Sequence, residues 1–113
     1  MPALYNEEAL KAQSVAAYTY ACYKRAENSQ KSYDISTDHT IDQSYISESA
    51  VRERWGDKAD EYAEKIKKAI RDTSGYMITC KGTPILAVYH AISTGKTESA
   101  KNVWGGDYSY LKP

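Results

Sequence analysis

Apolar residues recur with a helical period in two separate parts of the chain. No proline or glycine interrupts residues 7–27, and the apolar side chains there can share one broad face. That face comprises Leu10, Val15, Ala17, Ala21 and Cys22, with Tyr18 beside it. On the opposite side, Lys11, Lys24 and Arg25 are expected to stay in solvent. Residues 47–72 predict a second helical region, broken at Trp55-Gly56.

Acidic residues mark the start of the first predicted helix. Asn6 is a candidate N-cap, and Glu7 and Glu8 follow it in the first turn, where a carboxylate meets the positive end of the helix dipole. Acids are common at such positions, so this pattern alone explains both glutamates. Farther along the chain, Glu61–Lys65 and Glu64–Lys68 are expected to pair on a solvated helix face.

The stretch between the second helical region and the C-terminal tail predicts β-structure. Two strands are expected around a turn at residues 81–84, and the second strand, residues 85–89, should be central or well covered. Polar residues 28–42 predict a loop with a short extended piece at residues 33–35, and the tail from residue 103 is loop-like. The predicted class is α+β: two main helices packed on a small antiparallel sheet in a single domain.

Composition narrows the functional classes. The chain has 15 basic and 15 acidic residues, so net charge offers no argument for nucleic acid or an anionic membrane as a partner. No apolar run approaches the roughly 20 residues of a membrane span, and no signal peptide is visible, which leaves a cytosolic protein or a piece of a larger one. The 11 tyrosines, 2 tryptophans and absence of phenylalanine suit a shallow core or a groove for a polar, ring-shaped ligand.

Candidate chemistry is sparse when each motif is taken alone. His90 precedes Ser93 by three residues, but no acid is placed to orient it, so a structural and a functional histidine both remain open. His39, with Asp38 and Asp42, is expected in a solvated loop, since the stretch offers too few ligands for a metal.

Two further motifs are weak. Gly95-Lys96-Thr97 lacks the earlier glycine of a phosphate-binding loop, and no convincing helix follows it. Cys22 and Cys80 have no metal-ligand spacing; two half-buried thiols are expected, and a disulfide between them stays open.

Three stretches in chain order carry a resemblance. Residues 1–21 read MPALYNEEALKAQSVAAYTYA; the second stretch holds Asp38, Thr40, Gln43 and Tyr45; residues 69–113 contain GTPI, YHAISTGKTE and a final WGGDYSYL. Taken together they resemble the stage II sporulation protein D family, which is related to a modifier of a cell-wall amidase.

The resemblance implies a peptidoglycan lytic transglycosylase that remodels the cell wall during engulfment. Such an enzyme cleaves the bond between N-acetylmuramic acid and N-acetylglucosamine and leaves a 1,6-anhydro end. One acid, here Glu8, would serve both halves of the reaction, with a pKa raised by partial burial. The implied glycan groove is lined by Gln43, Tyr45, His90, Ser93, Thr97 and Glu98, and no cofactor is implied.

The chain departs from the family pattern at several positions. The family signature has a glutamate immediately before Met1, and that residue is an equal candidate for the acid. Tyr18 replaces an arginine, and Thr94-Gly95 replaces a glycine pair. Where zinc-binding relatives carry cysteine and histidine, this chain has Ile41 and Asp42, so no metal is expected.

The resemblance also bears on organisation and on the choice between two functions. Residues 1–113 are expected to be one domain, truncated at both ends relative to family members. Those members carry a membrane anchor and act outside the cytoplasmic membrane of a spore-forming bacterium. Peptidoglycan strands are the implied partner. The alternative function is a non-catalytic glycan-binding module that positions or activates a cell-wall amidase, so whether the chain is an enzyme stays open.

Overall fold

Helix α1 spans Glu7–Glu27 in the computed structural model, which describes residues 2–38 and 40–113. The Asn6 side chain accepts a hydrogen bond of 2.9 Å from the backbone N–H of Glu8, which satisfies one of the donors left free at a helix start. The predicted helix and its cap are therefore confirmed.

The second helical region is divided as the sequence predicts. Helix α2 spans Glu48–Trp55 and is capped by Ser47, whose side chain accepts from the backbone N–H of Ala50. Gly56 adopts a φ of 60° with a ψ of −128°, a combination that favours glycine, and this ends the helix. A 3₁₀ turn, Gly56–Lys58, leads into α3, Ala59–Asp72.

The sheet is a short hairpin. Strand β1, Thr79–Cys80, pairs antiparallel with β2, Thr83–Pro84, so that Thr79 lies opposite Pro84 and Cys80 opposite Thr83. The turn has two residues, Lys81 and Gly82, with φ values of 53° and 80°, as hairpin turns of the I′ type require. It is shorter than the predicted turn at residues 81–84, because Thr83 and Pro84 pair with β1. Helices with a small antiparallel sheet confirm the predicted α+β class.

The long second strand predicted at residues 85–89 is wrong. Ile85 still donates to the carbonyl of Ile78, but the N–H of Leu86 donates to the Tyr110 hydroxyl at 3.0 Å, and that of Val88 donates to the Leu86 carbonyl. These bonds take the backbone donors out of any ladder. The segment therefore crosses the fold as irregular extended chain, and the extended piece expected at residues 33–35 is not a strand either.

A short helix near the C-terminus corrects two expectations. Helix α4, Ala100–Trp104, follows the Gly95-Lys96-Thr97 stretch and begins the tail that was expected to be a loop. Ser99 caps it by accepting from the backbone N–H of Asn102, and Gly105 ends it in the left-handed region with a φ of 84°. The N–H of Ala100 also donates to the Leu111 carbonyl, which folds the tail back onto the helix.

The interior is built largely from small side chains. The buried apolar residues are Ala3, Leu10, Tyr20, Ala63, Ala69, Ala87 and Ala100. Fully buried Thr19 donates from its hydroxyl to the Val15 carbonyl and accepts from the N–H of Ile78, so it links α1 to the hairpin. The buried positions of α1 are Leu10, Thr19 and Tyr20. Of the predicted apolar face, Leu10 is buried and the other members, Val15, Ala17, Ala21 and Cys22, are half-buried.

Several side chains differ from their expected environment. Lys68 pairs with Glu7 and Asp72, and Lys65 donates to the Tyr5 carbonyl, so neither makes the i,i+4 pair expected of it. Cys22 and Cys80 are free, half-buried thiols, as expected. Among the described residues, no helix combines the length and apolar character needed to cross a bilayer.

Candidate functional site

Four of the predicted substrate-binding residues line one open groove. His90, Ser93, Thr97 and Glu98 all come from the irregular chain between Val88 and α4. The groove has a volume of about 620 Å³ and its remaining wall is mainly apolar and aromatic, formed by side chains that include Val103, Trp104, Tyr110 and Leu111. We call this the His90 groove. Convergent hydroxyl, imidazole and carboxylate groups beside apolar surface are typical of a ligand site.

Glu98 lies just before the start of α4, where its side chain accepts two hydrogen bonds. Its Oε1 atom accepts from the backbone N–H of Ser99 and from the Asn102 side-chain amide, both at 2.8 Å. The Ser99 N–H bond is the main cause of a lowered pKa for Glu98, and the Asn102 bond adds to it. Glu98 is therefore ionised at neutral pH, and it suits the binding of hydroxyl groups better than the donation of a proton.

Gln43 lies in a second groove that adjoins the first. Its Oε1 atom accepts from the Tyr89 hydroxyl at 2.7 Å, a contact between residues far apart in the chain. This Gln43 groove has a volume of about 610 Å³. The two grooves share three residues of their walls, namely Val88, Tyr89 and Trp104. The structure thus places five of the seven predicted site residues in two grooves that share part of their walls.

Glu8 and Tyr45 line neither groove. The Glu8 side chain is 80% exposed and lies 3.2 Å from Lys11 Nζ, so it lacks the partial burial expected of a catalytic acid. Neighbouring Glu7 accepts from Lys68 at 2.6 Å, and this bond, with the charges of Lys68 and Lys11, lowers the pKa of Glu7. Tyr45 is 72% exposed. The start of α1 is therefore a surface cluster of charges.

Asp42 is a buried anchor that the sequence did not indicate. Its side chain is 2% exposed and accepts from the Tyr20 hydroxyl and the Ser36 backbone N–H, both at 2.8 Å, while Lys24 Nζ lies 3.3 Å away. Burial opposes its ionisation, but the bonds from Ser36, Tyr20 and Lys24 prevail and lower the pKa of Asp42. The solvated positions expected for Asp42 and Lys24 are wrong, whereas His39 lies outside the described residues.

The Asp42 anchor positions Gln43. Ser36 and Asp42 close a loop, and Tyr20 and Lys24 of α1 hold that loop against the helix, next to the backbone carbonyl of Ala17 that accepts from Gln43. Burial and the bond to Asp42 raise the pKa of Tyr20 to about 12, so its hydroxyl stays protonated and donates. A single charged residue in a loop carries no periodic signal, which is why this contact could not be predicted from the sequence.

The aromatic part of the site comes from the C-terminal tail. Burial and the neighbouring Tyr108 hydroxyl raise the pKa of Tyr23 to about 12. A Cβ atom at Gly106 would lie 2.7 Å from the Tyr108 ring, so glycine is needed there unless the ring moves. The abundance of tyrosine pointed to such a groove, although the shallow core uses tyrosine as well.

The described part of the chain contains no group of side chains that could bind a metal ion. No three histidine, cysteine, aspartate or glutamate side chains in residues 2–38 and 40–113 are grouped so that they could hold an ion. Ile41 and Asp42 stand where zinc-binding relatives carry cysteine and histidine, and the Asp42 carboxylate accepts hydrogen bonds from Tyr20 and Ser36.

Comparisons with known proteins identify relatives along nearly the whole chain. The family described as Stage II sporulation protein (SpoIID) matches residues 1–80. Stage II sporulation protein D of Bacillus subtilis (strain 168) is 33% identical over 115 residues, which cover 99% of this chain and 34% of that protein. Stage II sporulation protein D of Bacillus amyloliquefaciens is also 33% identical, over 99% of this chain and 33% of its own length.

A further relative is the Amidase enhancer of Bacillus subtilis (strain 168), 32% identical over 98% of this chain and 13% of that protein. The chain therefore spans about a third of the stage II sporulation D proteins it matches. With the family match over residues 1–80 and this identity over nearly the full chain, the chain belongs to the stage II sporulation protein D family.

Proposed function

We propose that this chain is the peptidoglycan-binding part of a lytic transglycosylase that acts in sporulation. The observation that carries the proposal is the His90 groove, where His90, Ser93, Thr97 and Glu98 face aromatic and apolar side chains. A sugar ring has an apolar face of C–H groups and a rim of hydroxyls, and such a groove offers partners for both. Family membership supports glycan as the ligand.

The proposed reaction cleaves the glycosidic bond from N-acetylmuramic acid to N-acetylglucosamine. An acid protonates the leaving oxygen, and the resulting carboxylate then accepts the proton of the muramic acid 6-hydroxyl as that oxygen attacks C1. The products are a 1,6-anhydro end and a new 4-hydroxyl end, and no water is consumed. Because the nucleophile belongs to the substrate, the second carboxylate of an ordinary glycosidase is not required.

Glu8 remains the candidate acid within the chain. Its exposure and its contact with Lys11 mean that bound glycan would have to cover it before it could act as a proton donor. The glutamate that the family signature has before Met1 is the competing candidate. Glu98, already ionised by its hydrogen bonds, is proposed to hold sugar hydroxyls.

Digestion of purified cell wall tests the reaction. The native full-length protein should release fragments with 1,6-anhydro-muramic ends, identified by mass spectrometry. Fragments with reducing ends only, or no fragments, would argue against the transglycosylase. Glu8→Gln should abolish release, whereas Glu61→Gln, which alters an exposed glutamate of α3, should not. Full turnover by the Glu8→Gln variant would exclude Glu8 as the acid.

A second candidate function is a non-catalytic module that presents glycan to a cell-wall amidase. The observation that favours it is the open, lysine-paired environment of Glu8, together with the likeness to a protein named Amidase enhancer. In that case the chain should sediment with purified wall, leave the glycan intact and raise the rate of an added amidase. Release of anhydro ends by the same preparation would reject this candidate.

The proposed setting follows from the family. Peptidoglycan lies outside the cytoplasmic membrane, so the protein is proposed to act on the outer side of that membrane in a spore-forming bacterium. No nucleic-acid partner is proposed, since acidic and basic residues balance. Fractionation of sporulating cells, followed by detection of the protein in the envelope fraction, checks this assignment.

A further inference from the structure

An exposed indole belongs to both grooves. Trp104 lines both the His90 groove and the Gln43 groove, and 62% of its surface is accessible. Tyr89 also lines both and is 50% exposed. Two aromatic side chains at the junction of two open grooves make an apolar surface that water can reach and that a ligand can cover.

Local structure fixes where this indole lies. Trp104 is the last residue of α4, which begins at the Ser99 cap and ends at left-handed Gly105. The N–H of Ala100 donates to the Leu111 carbonyl, and Ala100 itself is buried, so the helix is tied to the tail at its first residue. The position of Trp104 therefore depends on the backbone of α4 and does not rest on a flexible loop.

Polar groups stand on both sides of this aromatic junction. In the His90 groove they include Ser93, Thr97 and ionised Glu98. In the Gln43 groove they are Gln43 and Ser44, while Lys24 is already paired with Asp42 and Glu27. Lys96 and Lys112 also line the His90 groove, so this groove carries cations as well as Glu98. The pattern of an apolar platform with flanking acceptors and donors fits sugar rings.

The dimensions favour an extended ligand. Each groove, at about 620 and about 610 Å³, falls within the roughly 300–1,000 Å³ typical of small-ligand sites. Because both share Val88, Tyr89 and Trp104, one linear molecule can occupy both by passing over the shared residues. A single saccharide ring confined to one groove would not contact the polar groups of the other.

We propose that the two grooves form one continuous site for a linear oligosaccharide, and that Trp104 is the platform on which the ring at the junction stacks. The inference rests on the proposed glycan-binding function and specifies its geometry. It assigns a binding role to Trp104 and Tyr89, and it makes affinity depend on ligand length. A chain long enough to reach both Glu98 and Gln43 binds more tightly than one confined to a single groove.

Intrinsic fluorescence tests the platform directly, because the chain has only two tryptophans. Trp55 packs edge-on against Tyr62 between α2 and α3 and lines neither groove. In Trp55→Phe, the remaining Trp104 should shift its emission to shorter wavelength when peptide-free glycan strands are added. In the matched variant Trp104→Phe, emission from Trp55 should not change.

Affinity provides a second measurement. Trp104→Ala should weaken binding of the strands by about tenfold or more, in the range known for loss of a stacking partner, whereas Trp104→Phe should retain most of the affinity. A circular dichroism spectrum equal to that of the parent verifies that Trp104→Ala is folded. Long strands should bind about tenfold more tightly than a disaccharide, and equal affinity for both would overturn the continuous site.

The outcomes separate this inference from the proposed function. Strands that sediment with Trp55→Phe but leave Trp104 emission unchanged would overturn the platform, and glycan binding would stand. If no strands sediment with the parent chain, both the platform and its proposed ligand are rejected. A shift that appears equally in Trp104→Phe would arise from Trp55 and would also overturn the assignment.

Discussion

At the scale of single residues, Asp42 has the least exposed side chain among the ion pairs of the described residues. It is an ionised carboxylate with 2% of its side chain exposed, and it receives bonds from α1 and from its own loop. A buried charge of this kind is tolerated only when its acceptors are satisfied. Its neighbour Gln43 reaches Tyr89 from the same loop, so the stability of the loop and the shape of the groove are coupled.

Asp42→Asn should destabilise the protein by about 2 kcal/mol. The amide keeps the shape of the side chain, but it replaces a charged hydrogen-bond acceptor by a neutral one and removes the carboxylate that pairs with Lys24. Urea unfolding followed by circular dichroism measures the loss. The control Asp57→Asn changes an exposed aspartate in the 3₁₀ turn and should leave the midpoint unchanged. Equal midpoints for Asp42→Asn and the parent would contradict the anchor.

The pH dependence of stability follows from the same residue. The pKa of Asp42 is lowered in the folded protein from a value near 3.8, so the unfolded chain binds the proton more readily. The contribution of Asp42 to the free energy of unfolding is fully present above about pH 4. It is lost as the pH falls through the lower pKa that Asp42 has in the folded protein. Urea midpoints measured from pH 5 to pH 2 should fall less steeply in Asp42→Asn, and parallel curves would count against this explanation.

At the scale of elements, α4 is the least supported helix and the most important for the groove. It has five residues, too few to form a stable helix by itself, and so relies on the Ser99 cap, on Gly105 and on the bond from Ala100 to Leu111. In contrast, α1 and α3 are long and lie against each other.

Ser99→Ala should therefore loosen α4 without unfolding α1 or α3. Loss of an N-cap hydroxyl destabilises a helix by about 1 kcal/mol. In Ser99→Ala the lost interaction is the hydrogen bond that the Asn102 N–H donates to the Ser99 hydroxyl. Amide hydrogen exchange at Asn102 and Val103 should speed up several-fold, while exchange within α1 stays as in the parent. Ser109→Ala, at an exposed serine of the same tail, is the matched control. Unchanged exchange in Ser99→Ala would show that the cap contributes nothing.

The elements also show what the sequence could and could not predict. Helices α1 to α3 follow from periodicity, and α1 also from its Asn6 cap. The hairpin follows from the glycine-containing turn, although Thr83 and Pro84, expected in that turn, belong to β2. Helix α4 is too short to show a period, although Ser99 and Gly105 mark its ends. The missing strand at residues 85–89 results from a hydrogen bond to distant Tyr110, which no local pattern reveals. His90, Ser93, Thr97, Glu98 and Gln43 came from the family resemblance, while Trp104 and Asp42 required the structure.

At the scale of the whole molecule, exposed charges join the two long helices. Lys68 lies 2.6 Å from Glu7 and 2.8 Å from Asp72, and Lys11 lies 3.7 Å from Asp72, so α1 and α3 are linked at one end. Hydrogen bonds from Lys68 to both carboxylates raise its own pKa. Beside this cluster, an apolar groove of about 560 Å³ runs between the helices and is lined by residues such as Leu10, Ala69 and Ile70.

Lys68→Met should lower the urea midpoint slightly at low salt, because it removes a cation shared by two carboxylates while it keeps an apolar stem of similar length. The difference from the parent should vanish at 1 M NaCl, where charges on the surface are screened within about 3 Å. Lys101→Met, at an exposed lysine of α4, should show no difference at either salt concentration. A deficit that persists in high salt would assign the effect to packing.

The dependence of Trp104 on a five-residue helix has a practical consequence for heating experiments. Segments with little buried apolar surface open at lower free energy than the core. Far-ultraviolet circular dichroism is dominated by α1 and α3, so its melting curve reports those helices. The proposed binding of glycan should be lost at a lower temperature than that curve indicates, and assays that test it should be run well below the apparent melting point.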